Sequence, residues 1–238
     1  MKIPERSERS GKMDNGLDRL YALDLPHIFM KNLEDPFMSK TDIHYLKNVR
    51  RLRTGSYFTA TDGNGAWGTF ELQRSSVLPT ASTEYCENQK STSEIFISVT
   101  KSGKPELITQ KLTELGVSAI TFFFSERSVP KWNAEKIKKN KERLITVSRS
   151  ALAQSKGVWL PSLEIGGNFE EVILKGDIPL AHRTAERIGP DIRRIAIGPE
   201  GGWSDTELSS VHSKFSLHRS NLRSETAAIT AAALLENI

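Results

Sequence analysis

The 238-residue chain contains a single cysteine, Cys86, and this scarcity excludes several classes of protein. One thiol can form neither an intramolecular disulfide nor a cysteine-based zinc cluster. No apolar run approaches the roughly 20 residues that a membrane-spanning helix requires, and the first residues lack the apolar core of a secretory signal. We therefore expect a cytoplasmic protein with no membrane partner and no metal.

The sequence also lacks the two most familiar phosphate-binding motifs. It contains neither the Gly-x-x-x-x-Gly-Lys-Ser/Thr of nucleoside triphosphatases nor the Gly-x-Gly-x-x-Gly of dinucleotide-binding proteins. A nucleotide-hydrolysing α/β protein is therefore disfavoured. The net charge of +4 is mild, so it permits a nucleic-acid partner without demanding one.

Basic residues are concentrated in two segments, one from Lys47 to Arg53 and the other from Lys131 to Arg143. Either segment could bind phosphate groups, or it could be an ordinary solvated helix face. The positions of these segments in the fold are needed to choose between the two interpretations.

The first third of the chain is expected to form a small β-barrel. Residues 1–24 mix charged and small polar residues without an apolar period, which predicts a flexible N-terminal extension. Two strand-like runs, 57–61 and 67–72, flank the turn sequence Asp62-Gly63-Asn64-Gly65 and predict a hairpin. We place a barrel at residues 25–82 and a polar linker at 83–93.

From residue 94 to 238 the pattern alternates between strands and helices. Strands are predicted at 94–99, 119–124 and 194–197, and helices at 105–115, 133–154, 205–214 and 225–237. Shorter strands are predicted near 160–165, 178–181 and 215–217. This alternation is typical of an α/β domain with a largely parallel sheet.

A glycine-rich loop, Gly198-Pro199-Glu200-Gly201-Gly202, follows the buried strand at 194–197 directly. Ser204 and Glu207 then have the spacing of a capping box, which marks the start of a helix. Open α/β sheets bind ligands at the carboxyl ends of strands, and glycines allow close approach of the backbone. The alternative is a tight strand-to-helix connection without a ligand.

A second segment gives the loop a more specific interpretation. A short strand at 215–217 leads through an irregular stretch to Leu222-Arg223-Ser224-Glu225-Thr226-Ala227, where Ser224 could cap an alanine-rich helix. Together the two segments resemble the bacterial family that methylates N3 of a uridine in 16S ribosomal RNA. The sequence 110–117 (QKLTELGV), the sequence 125–128 (SERS) and residues 44–55 resemble further motifs of that family.

This resemblance implies a SPOUT trefoil-knot domain with a mostly parallel sheet, preceded by a PUA-like RNA-binding barrel. It implies S-adenosylmethionine (SAM) as cofactor, 16S rRNA or the small ribosomal subunit as partner, and a homodimer formed through the knot domain. The implied RNA contacts are Arg50, Arg51, Lys138 and Lys139. The implied cofactor-binding residues are Ile197, Gly198, Glu200, Gly201, Gly202, Leu217, His218, Asn221, Leu222 and Thr226, with the loop at His182 as a weaker candidate for a third wall.

The chemistry of the implied reaction suggests two catalytic residues. Uracil N3 carries a proton, so the enzyme must remove that proton or stabilise the resulting anion. Arg223 is the candidate for stabilising the negative charge, and Glu225 is the candidate base. The structural alternatives are that Arg223 fixes the knot and that Glu225 interacts with the helix dipole.

Two other functions remain compatible with the sequence. The chain could be a knot methyltransferase that modifies another RNA base or a ribose 2′-oxygen. It could also be a non-catalytic RNA-binding or assembly factor with a degenerate cofactor site, because His218 and Ser220 stand where the resembled family has Gly and Arg.

Overall fold

The structure is a computed structural model that describes residues 16–38, 43–86, 91–100 and 103–236. The chain forms a small β domain and a larger α/β domain, each with its own buried core. In the β domain, the elements are α1 (Gly16–Ala22), β1 (His27–Phe29), a π-helical turn (Tyr45–Val49), β2 (Tyr57–Thr61), β3 (Ala66–Leu72), β4 (Val77–Pro79) and β5 (Glu84–Tyr85).

The predicted hairpin of the β domain is confirmed. β2 and β3 pair antiparallel, and the Asp62 side chain accepts hydrogen bonds from the backbone N–H groups of Asn64 (2.7 Å) and Ala66 (3.2 Å). β1 lies parallel to β2, while β4 and β5 both pair with β3. The core is built from apolar side chains that alternate along these strands, with Phe58 and Phe70 stacked at 5.7 Å.

Two predicted boundaries of the β domain are wrong. The prediction of a flexible extension at residues 1–24 is wrong for residues 16–22, which form α1. Residues 1–15 lie outside the described chain. α1 is ordered because Leu20 is fully buried against Trp67 and Val158. The prediction of a linker at residues 83–93 is wrong at Glu84–Tyr85. These residues pair with β3, so the β domain extends beyond residue 82.

The α/β domain contains a six-stranded sheet in which every pairing is parallel, in the order β11-β9-β10-β6-β7-β8. The predicted fold class, α/β with a mostly parallel sheet, is confirmed. Its elements are β6 (Glu94–Ser98), α2 (Lys104–Glu114), β7 (Ala119–Phe124), α3 (Ala134–Ser155), β8 (Ser162–Asn168), a π-helical turn (Glu170–Leu174), β9 (Leu180–Ala181), β10 (Arg194–Ile197), α4 (Asp205–Ser210), β11 (Lys214–Phe215) and α5 (Ser224–Glu236).

Helix α5 packs closely on the sheet because of its alanines. Ala228, Ala231 and Ala232 are fully buried, and α5 contacts α2, β6 and β10. Small side chains allow the helix backbone to approach the sheet, so the last helix forms part of the core. This placement brings the start of α5 to the carboxyl ends of the central strands.

Two local predictions in this domain are wrong. The helix predicted at 205–214 ends at Ser210, because Val211 is extended and Lys214–Phe215 joins β9 as an edge strand. Ser224 does not cap α5, since its hydroxyl is buried and has no hydrogen-bond partner among the described residues. For the end of α4, pairing of the following residues with the sheet overrides the local sequence preference.

A buried histidine joins the two domains. His27 on β1 is 2% exposed, and its Nδ1 accepts a hydrogen bond from the Thr59 hydroxyl at 2.8 Å, with Nε2 donating to the Gly157 carbonyl at 3.3 Å. Gly157 follows α3, so this side chain links the β domain to the α/β domain. Burial is the main reason that the pKa of His27 falls from 6.5 to about 4.

We expect acid to destabilise the protein through His27. The unfolded state binds a proton near pH 6.5 and the folded state near pH 4, so stability is lost as the pH falls through this window. At about 1.4 kcal/mol per pKa unit, the full loss is about 3 kcal/mol. Urea unfolding at pH 7 and pH 4.5 should show a smaller acid loss in His27→Gln than in wild type.

The exposed His212 provides the matched control for this experiment. His212→Gln should keep the wild-type difference in unfolding free energy between the two pH values. Identical acid losses in His27→Gln and wild type would contradict the assignment.

Candidate functional site

A cleft of about 880 Å³ opens at the carboxyl ends of β9 and β10. Its walls come from residues 181–184, which follow β9, from residues 197–203, which follow β10, and from residues 217–227, which lead into α5. Lys104, the first residue of α2, completes the rim. Segments distant in sequence thus meet at the edge of a parallel sheet where ligands are commonly bound.

The first loop is a tight turn that requires glycine. The N–H of Gly202 donates to the Pro199 carbonyl at 2.9 Å, and Gly202 has a left-handed φ of 72°. A Cβ atom on Gly198 would lie 3.0 Å from the Trp203 indole, which is tighter than ordinary van der Waals contact. The loop therefore presents backbone groups to the cleft where side chains would fill it.

Trp203 connects this loop to the core and to the opposite wall. Its ring stacks on Phe123 at 6.3 Å and meets Phe169 edge-on at 5.7 Å. Its Nε1–H donates to the carbonyl of Ala181 at 3.0 Å, so the loop after β10 is tied to the segment after β9. Trp203 is 6% exposed and also lines the cleft.

The loop after β7 forms hydrogen bonds with the backbone of the glycine loop 198–202 and of the residues that follow it. Arg127 Nη1 donates to the carbonyls of Gly201 (3.3 Å) and Trp203 (3.0 Å). The buried Glu207 carboxylate accepts from the N–H groups of Glu126 and Ser204, both at 2.9 Å. The predicted capping box of α4 is confirmed, and its glutamate also fixes the neighbouring loop.

His218 and Ser220 form a compact turn in the second loop. The Ser220 N–H donates to His218 Nδ1 at 3.0 Å, and the Ser216 hydroxyl donates to the His218 carbonyl at 3.2 Å. His218 does not have a positive φ, so this position imposes no requirement for glycine. The histidine therefore stabilises the loop locally and lines the cleft without backbone strain.

Two polar groups at the start of α5 are available to a ligand. Ser224 lines the cleft and is 5% exposed, and its Oγ has no hydrogen-bond partner in the described chain. Arg223 also lines the cleft, is exposed, and forms no ion pair with any residue that the structure describes. A buried unpaired hydroxyl is costly, so a ligand that bonds to it would gain affinity.

Lys104 joins the two loops electrostatically. Its ammonium group contacts the carboxylate of Glu200 in the first loop and lies 3.2 Å from Glu225 Oε2 at the start of α5. The hydrogen bond to Glu200, together with the negative charge of Glu225, raises the pKa of Lys104. Lys104 therefore stays protonated between two carboxylates.

Comparison with known proteins places this arrangement in a family. The RNA methyltransferase domain family matches residues 87–236, more than half of the chain, and the RNA methyltransferase PUA domain matches residues 39–77. The chain belongs to the RNA methyltransferase family. The SPOUT fold class with a small PUA-like β domain, which the resemblance implied, is confirmed.

Several relatives of this RNA methyltransferase carry one name. The ribosomal RNA small subunit methyltransferase E of Synechocystis is 29% identical over 221 residues, covering 82% of this chain and 71% of the relative. The Bacillus subtilis protein of the same name is 27% identical over 202 residues, covering 74% of this chain and 78% of the relative.

Solved structures share the architecture. A protein from Legionella pneumophila, described as a methyltransferase in complex with the bound cofactor SAM, is 25% identical with a TM-score of 0.78. The alignment covers 90% of this chain and 97% of the Legionella chain. A ribosomal RNA small subunit methyltransferase E from Neisseria gonorrhoeae is 22% identical with a TM-score of 0.75. The alignment covers 90% of this chain and 97% of the Neisseria chain, which establishes the shared fold.

Most of the residues predicted to bind the cofactor of this methyltransferase meet in the cleft. Gly201 and Thr226 lie outside its lining, and Glu225 approaches it only through Lys104. Ser220, which the sequence placed beside His218 at the cofactor site, also lines the cleft. Further lining residues that sequence reasoning missed are Lys104, Ala181, Arg183, Thr184, Pro199, Trp203, Leu208, Ser224 and Ala227. The predicted residues that line the cleft are Ile197, Gly198, Glu200, Gly202, Leu217, His218, Asn221 and Leu222, together with His182 and Arg223.

The predicted RNA contacts of the methyltransferase lie away from the cleft on two surfaces. Arg50 lies 5.9 Å from the centre of the exposed Tyr45 ring, and Arg51 is exposed with a left-handed φ of 56°. Lys138 and Lys139 are exposed on the first half of α3. One basic pair therefore lies on the β domain and the other on the α/β domain.

Within the described ranges, no group of His, Cys, Asp and Glu side chains is arranged to hold a metal ion. None of the described helices is both long and apolar enough to span a bilayer.

Proposed function

We propose that this chain transfers a methyl group from SAM to N3 of a uridine in 16S ribosomal RNA. The observation that carries the proposal is the cleft in which the glycine loop 198–202 and the Leu222–Ser224 segment face each other, with Arg223 at its wall and in no ion pair with a described residue. The relatives named ribosomal RNA small subunit methyltransferase E support the choice of RNA.

The cleft has the features that SAM requires. Loop 198–202 offers backbone groups beside the Trp203 indole, against which Gly198 packs without a side chain, and this suits the edge and face of an adenine. The unpaired Ser224 hydroxyl can bond to a polar group of the ligand. Glu200 contributes negative charge near the rim, which suits a cationic ligand. When bound, SAM supplies an electrophilic methyl group on a positively charged sulfur.

The protein must also prepare the uridine. N3 becomes nucleophilic when it loses its proton, and the negative charge then spreads onto two carbonyl oxygens. The Arg223 guanidinium is placed to bind those oxygens, because it lines the cleft and has no described carboxylate partner. Glu225 is the proposed proton acceptor, and its Oε2 lies 3.2 Å from the Lys104 ammonium group at the rim of the cleft.

RNA binding is proposed to use both basic surfaces. Lys138 and Lys139 are exposed on α3 and form no described ion pair, so they are free to contact phosphates. Phosphate contacts contribute affinity and register, while sequence choice comes from bases. Arg50, whose guanidinium carbon lies 5.9 Å from the centre of the Tyr45 ring, combines a cation with an exposed aromatic ring, a combination suited to unpaired RNA.

Reversing the charge of Lys138 and Lys139 together should weaken RNA binding and reduce its salt dependence. The loss of two phosphate contacts should lower the slope of log affinity against log salt by about 1.4 to 1.8. Fluorescence anisotropy with a 16S rRNA fragment across a salt series measures both quantities. Lys175→Glu reverses the charge of an exposed residue directly after the second π-helical turn and is the control for a charge reversal elsewhere on the surface. An unchanged slope in the double variant would identify the patch as an ordinary solvated surface.

We further propose a homodimer formed through the α/β domain. The support for this proposal is the family resemblance, which implies a homodimer through the knot domain. Sedimentation of the purified chain should give twice the monomer mass; a monomer at micromolar concentration would reject this assembly.

The main competing function is a non-catalytic RNA-binding factor with a degenerate cofactor site. The unstrained His218 turn argues against degeneracy at that position. Calorimetric titration with SAM separates the two functions. The proposed enzyme should bind SAM with one site per chain, whereas no detectable heat of binding at millimolar SAM would favour the non-catalytic factor.

A further inference from the structure

We infer that Lys104 is a positioning residue. It holds the glycine loop 198–202 and the segment 222–225, which begins α5, at a fixed separation on the rim of the cleft. The inference rests on the proposed function, because it concerns the geometry of the same SAM site. Its basis is a three-residue bridge, the Lys104 bridge, formed by Lys104 with Glu200 and Glu225. The three residues come from the start of α2, the glycine loop and the start of α5.

The bridge connects segments that are otherwise distant in the chain. Lys104 and Glu200 are 96 positions apart, and their side-chain contact crosses the cleft rim. Glu225 follows Arg223 and Ser224, which line the cleft, so its contact with Lys104 ties the start of α5 to the rim. Fixing both carboxylates on one ammonium group therefore fixes the distance between the two walls.

Charge explains why a cation is needed at this point. Glu200 and Glu225 reach the same ammonium group, so without it two carboxylates would repel each other at short range. Glu225 is also largely buried, with 15% of its side chain exposed, which makes an unpaired charge costly there. Removing Lys104 should therefore allow the two loops to move apart.

A role in positioning differs measurably from a purely electrostatic effect on the charge of the cofactor. If Lys104 acts through loop geometry, its loss should weaken SAM and the product S-adenosylhomocysteine, whose sulfur is neutral, by the same factor. If it acts only by charge, removing a cation should favour SAM, whose sulfonium is positive, over S-adenosylhomocysteine. The ratio of the two affinities therefore distinguishes the two roles.

The test is calorimetry of full-length Lys104→Met, Lys104→Arg and wild type with both ligands. We expect Lys104→Met to lose about tenfold in affinity for each ligand, equivalent to about 1.4 kcal/mol. Lys104→Arg should recover most of the loss, because its guanidinium can contact both carboxylates. Lys111→Met, which breaks the Lys111–Glu114 pair on the same helix, should bind like wild type and is the matched control.

A double-mutant cycle with Glu200→Gln makes the test independent of folding effects. If the bridge operates as a unit, Lys104→Met/Glu200→Gln should bind about as weakly as Lys104→Met alone, and additive losses would overturn the inference. Wild-type affinity in Lys104→Met, or a loss confined to one ligand, would also overturn it. Failure of wild type to bind SAM would instead reject the proposed function.

Discussion

Arg223→Ala should lower the rate of methyl transfer by about 10²- to 10³-fold, the usual effect of removing one donor that stabilises developing negative charge. The guanidinium lines the cleft and has no ion pair with a described residue, so its loss should disturb the folded protein little. Single-turnover methylation of a 16S rRNA substrate measures the rate. Calorimetry should show SAM affinity within a few-fold of wild type.

Arg219 provides a matched control for this variant. It is an exposed arginine in the same loop, but it does not line the cleft. Arg219→Ala should retain nearly all of the wild-type rate, and Arg223→Lys should retain a part of it because the charge is kept without the planar fork. Wild-type turnover by Arg223→Ala would remove Arg223 from the reaction.

Trp203→Ala should destabilise the fold by about 3–5 kcal/mol, as expected for deleting a large buried aromatic side chain. The indole fills the space between Phe123 and Phe169, and its loss leaves the Ala181 carbonyl without its donor. The same change removes the contact that joins two walls of the cleft. SAM affinity should therefore fall together with stability.

Trp132 is the control for the loss of an indole. It is half-buried and contacts Phe124 edge-on at 6.2 Å, away from the cleft lining. Trp132→Ala should cost clearly less in urea unfolding and leave SAM affinity unchanged. Equal losses of unfolding free energy and of SAM affinity in the two variants would contradict the role of Trp203 in joining the walls of the cleft.

The sequence was most informative where the interactions are local. The capping box of Ser204 and Glu207 spans three residues, and the Asp62-to-Gly65 turn is stabilised by its own aspartate side chain. Such features depend on nearby residues, so spacing and residue type suffice to predict them. The parallel sheet followed from long apolar strands alternating with helices.

The sequence was least informative where the decisive partner lies far along the chain. α1 is short and weakly patterned, and Leu20 is ordered by contacts with Trp67 and Val158. The end of α4 at Ser210 is set by the pairing of Lys214–Phe215 with β9. In each case a long-range contact outweighs a local preference of a fraction of a kcal/mol per residue.

In the candidate site, too, features that depend on nearby residues were predicted and features that depend on distant residues were not. The glycine loop and the Leu222–Ser224 segment were predicted from their motifs, which resemble those of known methyltransferases. Lys104 was not predicted, because its two acidic partners are recognisable only when α2, the glycine loop and α5 are placed together. The third wall at residues 181–184 was suggested only weakly by His182, although its position after β9 follows the rule for carboxyl ends of strands.

The central claim is methylation of uridine N3 in 16S rRNA with SAM as donor. The most direct test incubates the purified chain with SAM and with either free 16S rRNA or small ribosomal subunits that lack the modification. Digestion to nucleosides followed by mass spectrometry identifies the product. We predict 3-methyluridine at one position of 16S rRNA, absent without SAM and strongly reduced with Arg223→Ala. Methylation at a different atom, or none on either substrate, would contradict the account.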